Sequence, residues 1–318
     1  MSASCRRSKS RCDEHGRRSP YGCATFLKDF YCDRLVVIGV GLIGGSVAAA
    51  LRRADKVRRI VGVGRGCANI ERALALRVID EAIEDIAVAV KGADIVLLAV
   101  PVLQTDGVLA QLAAGIGAKT LVTDAGSTKR NFVESVRRIL PTHLAHVVPA
   151  HPIAGAERTG VDAASAELFV DRNVVLTPLP ENHVGAIDRI ESMWKACGAH
   201  VSRMSCDHHD QVFSAVSHLP HMLAYTLVHM LARRPDAQEL FSFAAGGFRD
   251  FTRIASSSPE MWRDIALANS AALLADIANY QQELAQLADL IRAADAQQLG
   301  KLFDAARNAR DAWLRQDS

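Results

Sequence analysis

The chain has 318 residues, 49% of them apolar and 23% charged, which suits a soluble globular protein with length for two domains, each with its own core. The formal net charge of +2 is unevenly placed. Residues 1–33 hold seven Lys/Arg against four Asp/Glu, and the remainder holds 30 against 31. The body is therefore near neutral, which gives no electrostatic case for a nucleic-acid or membrane partner. No apolar run reaches the roughly 18 residues of a membrane span. Cys5, Cys12, Cys23 and Cys32 crowd the amino end while Cys67, Cys197 and Cys206 are scattered, with no C-x-x-C pair. That pattern argues against zinc and against a disulfide framework, and it fits a reducing cytoplasm.

Residues 1–33 are rich in Arg, Ser, Lys, Cys and Gly and show no apolar period, so they read as a disordered extension or as a start assigned too far upstream. Asp13 and Glu14 argue against a transit peptide, and the apolar core of a secretory signal is missing. Leu35 to Ile38 then forms an unbroken apolar run suited to a central parallel strand. Gly39, Gly41 and Gly44 follow as G-x-G-x-x-G, and an alanine-rich helix follows them. Gly39 permits a tight turn, Gly41 lets a pyrophosphate approach the backbone, and Gly44 lets the helix pack closely on the strand. The phosphates of a dinucleotide would sit on the free N–H groups around Leu42 and Ile43.

Strand-like and helix-like runs alternate from there to about Arg203. Strands are expected at Arg59–Val63, Asp94–Val100, Thr120–Thr123, His146–Val148, Asn173–Thr177 and His200–Arg203, with helices between them. Such alternation implies an α/β fold, a Rossmann-type doubly wound, mostly parallel sheet over residues 34–203. Ligands of such sheets gather at the carboxyl ends of the strands. Val100, Pro101, the stretch Asp124 to Lys129 and the stretch Ala150 to Gly155 should therefore surround one crevice. After Met204 the strands stop. Asp207–Arg233, Trp262–Arg292 and Ala294–Arg315 read as helices too apolar for a domain of this size to bury alone, so residues 204–318 are expected to form an all-α domain that dimerises.

Where strand two should end in the acidic residue that holds the ribose of NAD, the chain reads Val63-Gly64-Arg65. Arg65 suits a 2′-phosphate, which favours NADP over NAD, although a loop arginine stacked on adenine would show no preference. In Asp124-Ala-Gly-Ser127-Thr128-Lys129, either Ser127 or Thr128 can cap a helix. His151, at a strand end opposite a dinucleotide, can take a hydroxyl proton while hydride leaves the same carbon, and Ser127 can orient the imidazole or the substrate oxygen. Ser217-His218-Leu-Pro-His221 places two imidazoles on one helical face. Their spacing, and Pro220 between them, argue for polar substrate contacts and against a metal site. Gly247-Phe-Arg-Asp250-Phe-Thr-Arg253 could wall a pocket that grips a carboxylate, or simply connect two helices.

Taken together, Gly39-Val-Gly41-Leu-Ile-Gly44-Gly-Ser46, Asp124-Ala-Gly-Ser127-Thr-Lys129, His151-Pro-Ile-Ala-Gly155, Ser217-His218-Leu-Pro-His221 and Gly247-Phe-Arg-Asp250-Phe-Thr-Arg253-Ile-Ala resemble the prephenate/arogenate dehydrogenase family of tyrosine biosynthesis. The resemblance covers nearly all of residues 34 to about 290. It implies NAD(P)-dependent oxidative decarboxylation of a cyclohexadienyl substrate, with His151 as the proton acceptor and Ser127 as its orienter. It also implies a carboxylate on Arg253, the substrate side chain at His221, and a pocket shaped by His218, Glu157, Asp250 and Trp262. No fused chorismate mutase or carboxyl-terminal regulatory domain is expected, so any tyrosine inhibition would act at the active site. The rival readings are a β-hydroxyacid dehydrogenase, which would use a lysine in place of His151, and a non-catalytic dinucleotide sensor.

Overall fold

The computed structural model describes residues 30–155 and 159–315. Strand β1 (Cys32–Ile38) runs through the Gly-rich turn into helix α1 (Leu42–Arg53), and β2 (Val57–Val63), α2 (Cys67–Ala75), β3 (Glu81–Ala82), α3 (Ile86–Ala89) and β4 (Ile95–Leu98) follow. Helix α4 (Thr105–Ala113) comes after a short 3-10 turn, then β5 (Leu121–Asp124) and α5 (Arg130–Ile139). These strands form a parallel sheet in the order β3-β2-β1-β4-β5. Four-residue β4 and β5 are buried along their whole length, as expected of strands covered by helices on both faces. The domain starts slightly before the expected boundary, because Phe30 and Cys32 are already packed into the core beside Leu35 and Val57.

Beyond α5 the sheet does not continue as one parallel array. The strand expected at His146–Val148 is reduced to a single bridge between Val147 and Val122, and Leu144–His146 is a 3-10 turn. Pro149 has no N–H to extend a ladder on β5, and the chain instead swings outward. It forms a second sheet of β6 (Ala150–Pro152), β7 (Asn173–Leu176) and β8 (His200–Arg203), with β6 antiparallel to β7 and α6 (Val184–Ala196) leading into β8. His151 consequently lies inside a strand.

The helical part comprises α7 (Cys206–Phe213), α8 (Leu219–Ala232), α9 (Ala237–Ser242), α10 (Gly246–Thr252), α11 (Pro259–Ala268), α12 (Ser270–Arg292) and α13 (Ala296–Leu314). The stretch expected as one helix over 207–233 is α7 and α8 joined by a π turn at Ser214–His218. Pro220 would clash with a carbonyl one α-helical turn earlier, and the wider π turn accommodates it. The stretch expected as one helix over 262–292 breaks at Asn269, whose side-chain Nδ2 donates to the Asp210 carbonyl and to His218. No described helix is long and apolar enough to cross a membrane.

Candidate active site

The Gly-rich turn has the shape that a dinucleotide needs. Gly39 has a φ of 97°, and a Cβ there would collide with the Ala99 carbonyl of β4's end. A Cβ on Gly44 would strike the Gly39 carbonyl and come within 2.8 Å of Val37, so this glycine sets the approach of α1 to β1. A Cβ on Gly41 would meet nothing within 4 Å, which leaves space where a pyrophosphate would lie. Leu42 and Ile43 open α1 with no side-chain cap, so the first N–H groups of the helix are open to anionic oxygens. Val100 and Pro101 line the adjacent end of β4, half-buried. Arg65 is exposed directly after β2, and Gly64 before it is packed on Ile70.

Across the crevice, His151 is half-buried and meets α7 edge-on at Phe213, with ring centroids 4.8 Å apart. Its Nδ1 lies 2.8 Å from Nε2 of His209, and Nδ1 of His209 lies 2.8 Å from Oδ1 of Asp210. Burial, followed by the neighbouring His209 and the Lys129 charge, holds the His151 imidazole well below the usual histidine range. It is a neutral base at physiological pH. His218 is pushed down to about 4, chiefly by burial, and its Nδ1 accepts from Asn269 Nδ2 at 3.1 Å. His221 stacks on Trp262 with centroids 3.5 Å apart, and its Nδ1–H donates to the Ser217 carbonyl. Burial lowers His221 too, with the positive charge of Arg253 adding to the effect.

Trp262 is buried, packs with Val102 just beyond the β4 end, and keeps an indole N–H that makes no hydrogen bond. Trp262 and the two imidazoles beside it form an aromatic cluster next to Val102. Arg253 is exposed at the start of a 3-10 turn after α10, near enough to His221 for their charges to interact. Ser127 is half-buried in the turn between β5 and α5.

The comparisons with known proteins agree with this geometry. Residues 47–203 match the family described as prephenate dehydrogenase, nucleotide-binding domain, and residues 205–305 match prephenate dehydrogenase, dimerization domain. The chain is 38% identical over 281 residues to a prephenate dehydrogenase of Bacillus subtilis, covering 88% of this chain and 76% of that one. The chain belongs to the prephenate dehydrogenase family. It is 36% identical to a cyclohexadienyl dehydrogenase of Zymomonas mobilis, over 87% of this chain and 94% of that one. It superposes on an Aquifex aeolicus prephenate dehydrogenase, solved with hydroxyphenyl propionate and NAD+, with a TM-score of 0.84 at 33% identity, covering 90% and 99% of the two chains. Membership makes the chain an oxidoreductase with a Rossmann-type dinucleotide domain, and it sets the β-hydroxyacid dehydrogenase reading aside.

Within this family member, several expected residues sit elsewhere than at an open site. Asp124 is buried, and its carboxylate is taken by the Lys129 ammonium, the Gly126 N–H at 2.9 Å and the Ala150 N–H at 3.0 Å. It organises the chain where β5, α5 and β6 meet, beside a small cavity that it lines with Val100 and Val102. Asp250 is exposed on α10, and Glu157 lies outside the described residues. Neither Ser127 nor Thr128 caps α5. That helix is capped by Asp210 of the helical part, which accepts from the Lys129 and Arg130 N–H groups at 2.8 and 2.9 Å. A carboxylate at a helix start is favoured by the helix dipole, and here it also ties the two domains together.

Sequence reasoning passed over Lys129, His209, Asp210 and Asn269 as site residues. Lys129 is fully buried and also donates to the Ala150 carbonyl at 2.6 Å, so the residue before His151 is gripped by both its N–H and its C=O. The signal for Lys129 was its place in the Asp124–Lys129 stretch; nothing local marks Asn269. Among the described residues no group of three or more His, Cys, Asp or Glu converges to hold a metal.

Proposed function

We propose that this chain oxidises prephenate or arogenate with loss of CO2, using NADP in preference to NAD, and that it works as a homodimer in the cytoplasm. The observation that carries the reading is a neutral imidazole, His151, backed at Nδ1 by His209 and close enough to His218 for their charges to interact, in a chain whose Gly-rich turn is shaped for a dinucleotide. A bound nicotinamide supplies the hydride acceptor. His151 takes the proton of the ring hydroxyl, which becomes a carbonyl as its carbon gives up hydride, and Ser127 orients that hydroxyl. The ring carboxylate leaves as CO2, its bonding electrons complete the aromatic ring and return the carbonyl to a ring oxygen anion, and that oxygen takes back a proton from the His151 imidazolium, so the protein need mainly position and move one proton. Arg253 binds a carboxylate, the Trp262 N–H offers a second donor, and His221 meets the side-chain end of the substrate. Asp250, exposed on α10, adds an acidic group to the substrate side.

The cofactor preference rests on Gly64 in place of a carboxylate and on the exposed guanidinium of Arg65. Arg65→Ala should raise the KM for NADP and leave that for NAD in place. The dimer is supported by Val216, Leu267 and Leu274 of the helical part, each about two-thirds exposed. The cytoplasm is supported by Cys32, Cys67, Cys197 and Cys206, which are all free thiols.

The test is His151→Asn, assayed with each pairing of prephenate or arogenate with NAD or NADP. Turnover should fall by roughly a hundredfold or more while dinucleotide affinity holds. Activity near that of the parent would remove His151 from the chemistry.

A further inference from the structure

His209 and Asp210 meet His151 on its Nδ1 side, and both belong to α7 of the helical part. Asp210 is ionised: burial works to raise its carboxyl, and the bonds from His209 and from the Arg130 and Lys129 amides more than offset that. An ionised carboxylate only accepts hydrogen bonds, so the atom between Asp210 Oδ1 and His209 Nδ1 must be a proton carried by His209. His209 is itself held neutral, mainly by burial. With its proton on Nδ1, its Nε2 is a bare lone pair, and that lone pair faces His151 Nδ1 at 2.8 Å. Two lone pairs at that distance would repel, so the proton there belongs to His151 Nδ1. A neutral imidazole protonated on Nδ1 is bare on Nε2.

From this chain of donors and acceptors we propose that His209, fixed by Asp210, is a positioning residue that makes Nε2 of His151 the proton acceptor. The inference rests on the reading of His151 as the base. It adds a residue pair that touches neither substrate nor cofactor and acts through His151. When the O–H bond of the substrate breaks and an N–H bond forms at Nε2, His151 becomes an imidazolium whose Nδ1–H already points to the His209 lone pair. The Asp210 charge beyond it stabilises that cation, and no group has to turn at the moment of transfer. The dyad is carried by the helical part while His151 is carried by β6. Asp210 also caps α5, so the contact that joins the domains is the contact that sets the tautomer.

Nitrogen NMR of the full-length protein with 15N-labelled histidine reads the tautomer directly, His151 being assigned by the resonance lost in His151→Asn. At neutral pH, Nδ1 of His151 should show the shift of a protonated nitrogen and Nε2 that of a bare one; a protonated Nε2 in the parent would overturn the proposal. His209→Leu removes the acceptor and should spread His151 over both tautomers. It should lower kcat by roughly a hundredfold with the KM of substrate and dinucleotide little changed. His209→Gln, whose amide oxygen can accept from Nδ1, should recover most of that loss. Equal impairment in the Leu and Gln variants, or an effect confined to KM, would show a packing role and overturn the proposal. An inactive His151→Asn beside a fully active His209→Leu would sink the positioning role alone. An active His151→Asn would sink the reading of His151 as the base, on which the inference rests.

Discussion

Gly41 and Gly44 stand three residues apart in one turn and have opposite surroundings. A side chain at Gly44 would enter occupied backbone, whereas one at Gly41 would enter open space. Gly44→Ala should therefore destabilise the fold, because neither α1 nor β1 can withdraw without unpacking the sheet. Gly41→Ala should fold with little loss of thermal stability and show a raised KM for the dinucleotide, since its methyl group occupies the phosphate's place. Thermal denaturation with and without cofactor separates the two, and a Gly41→Ala protein with parental cofactor affinity would remove the pyrophosphate from this turn. The same residue scale explains why Asp124 was read as a cofactor contact: its place at a strand end suggested one. Its Lys129 partner and the amides it caps emerge only when β5, α5 and β6 are brought together.

At the level of elements, the junction of β5, α5 and β6 is held by one buried ion pair. Asp124 and Lys129 together satisfy both backbone groups of Ala150 at the point where the chain leaves the parallel sheet. Asp124→Asn leaves the Lys129 charge buried without its counterion and should cost about 3–5 kcal/mol, read from chemical denaturation. Removing both charges as Asp124→Asn with Lys129→Met should recover part of that loss, and no recovery would mean that the carboxylate's bonds to the Gly126 and Ala150 amides dominate. The element boundaries also show which local signals hold. The Gly-rich turn, β7 and β8 lie where periodicity puts them, to within a residue. The strand expected at His146–Val148 fails because Pro149 stops its ladder. The long helix over 262–292 fails because Asn269 is used by tertiary partners, which the apolar pattern does not register.

Across the whole molecule, several depressed imidazoles make stability depend on pH in one direction. His151, His209 and His218 are all lowered by burial, His218 to about 4, so below pH 6.5 the unfolded chain binds protons that the folded chain refuses. Stability must then fall as the pH drops from 6.5 towards 4, by up to about 1.4 kcal/mol per pKa unit for each group. The lowered carboxyl of Asp210 acts in the same sense, since its contribution is present above 3.8 and is lost at lower pH. Denaturation midpoints measured between pH 7 and 4 should decline steadily, and a flat profile would contradict the buried neutral histidines. The exposed apolar side chains Val216, Leu267 and Leu274 carry the prediction for assembly. Light scattering should find a dimer that Leu274→Glu weakens towards monomer, and a monomeric parent protein would contradict it.

Glycine spacing and apolar runs were enough to determine the dinucleotide domain and the helical domain after it, while His151, His218, His221 and Trp262 are expected at one pocket through the family resemblance of their motifs. These are local signals, because a turn that needs glycine or a strand buried on both faces limits the residues at each position it contains. The tertiary structure alone decided that Asp210 caps α5, that Lys129 and Asp124 grip Ala150, and that His209 stands behind His151. A buried carboxylate or imidazole takes its role from whichever groups fold against it, and these lie 58 to 81 residues away for His209 and Asp210 and up to 26 for Asp124.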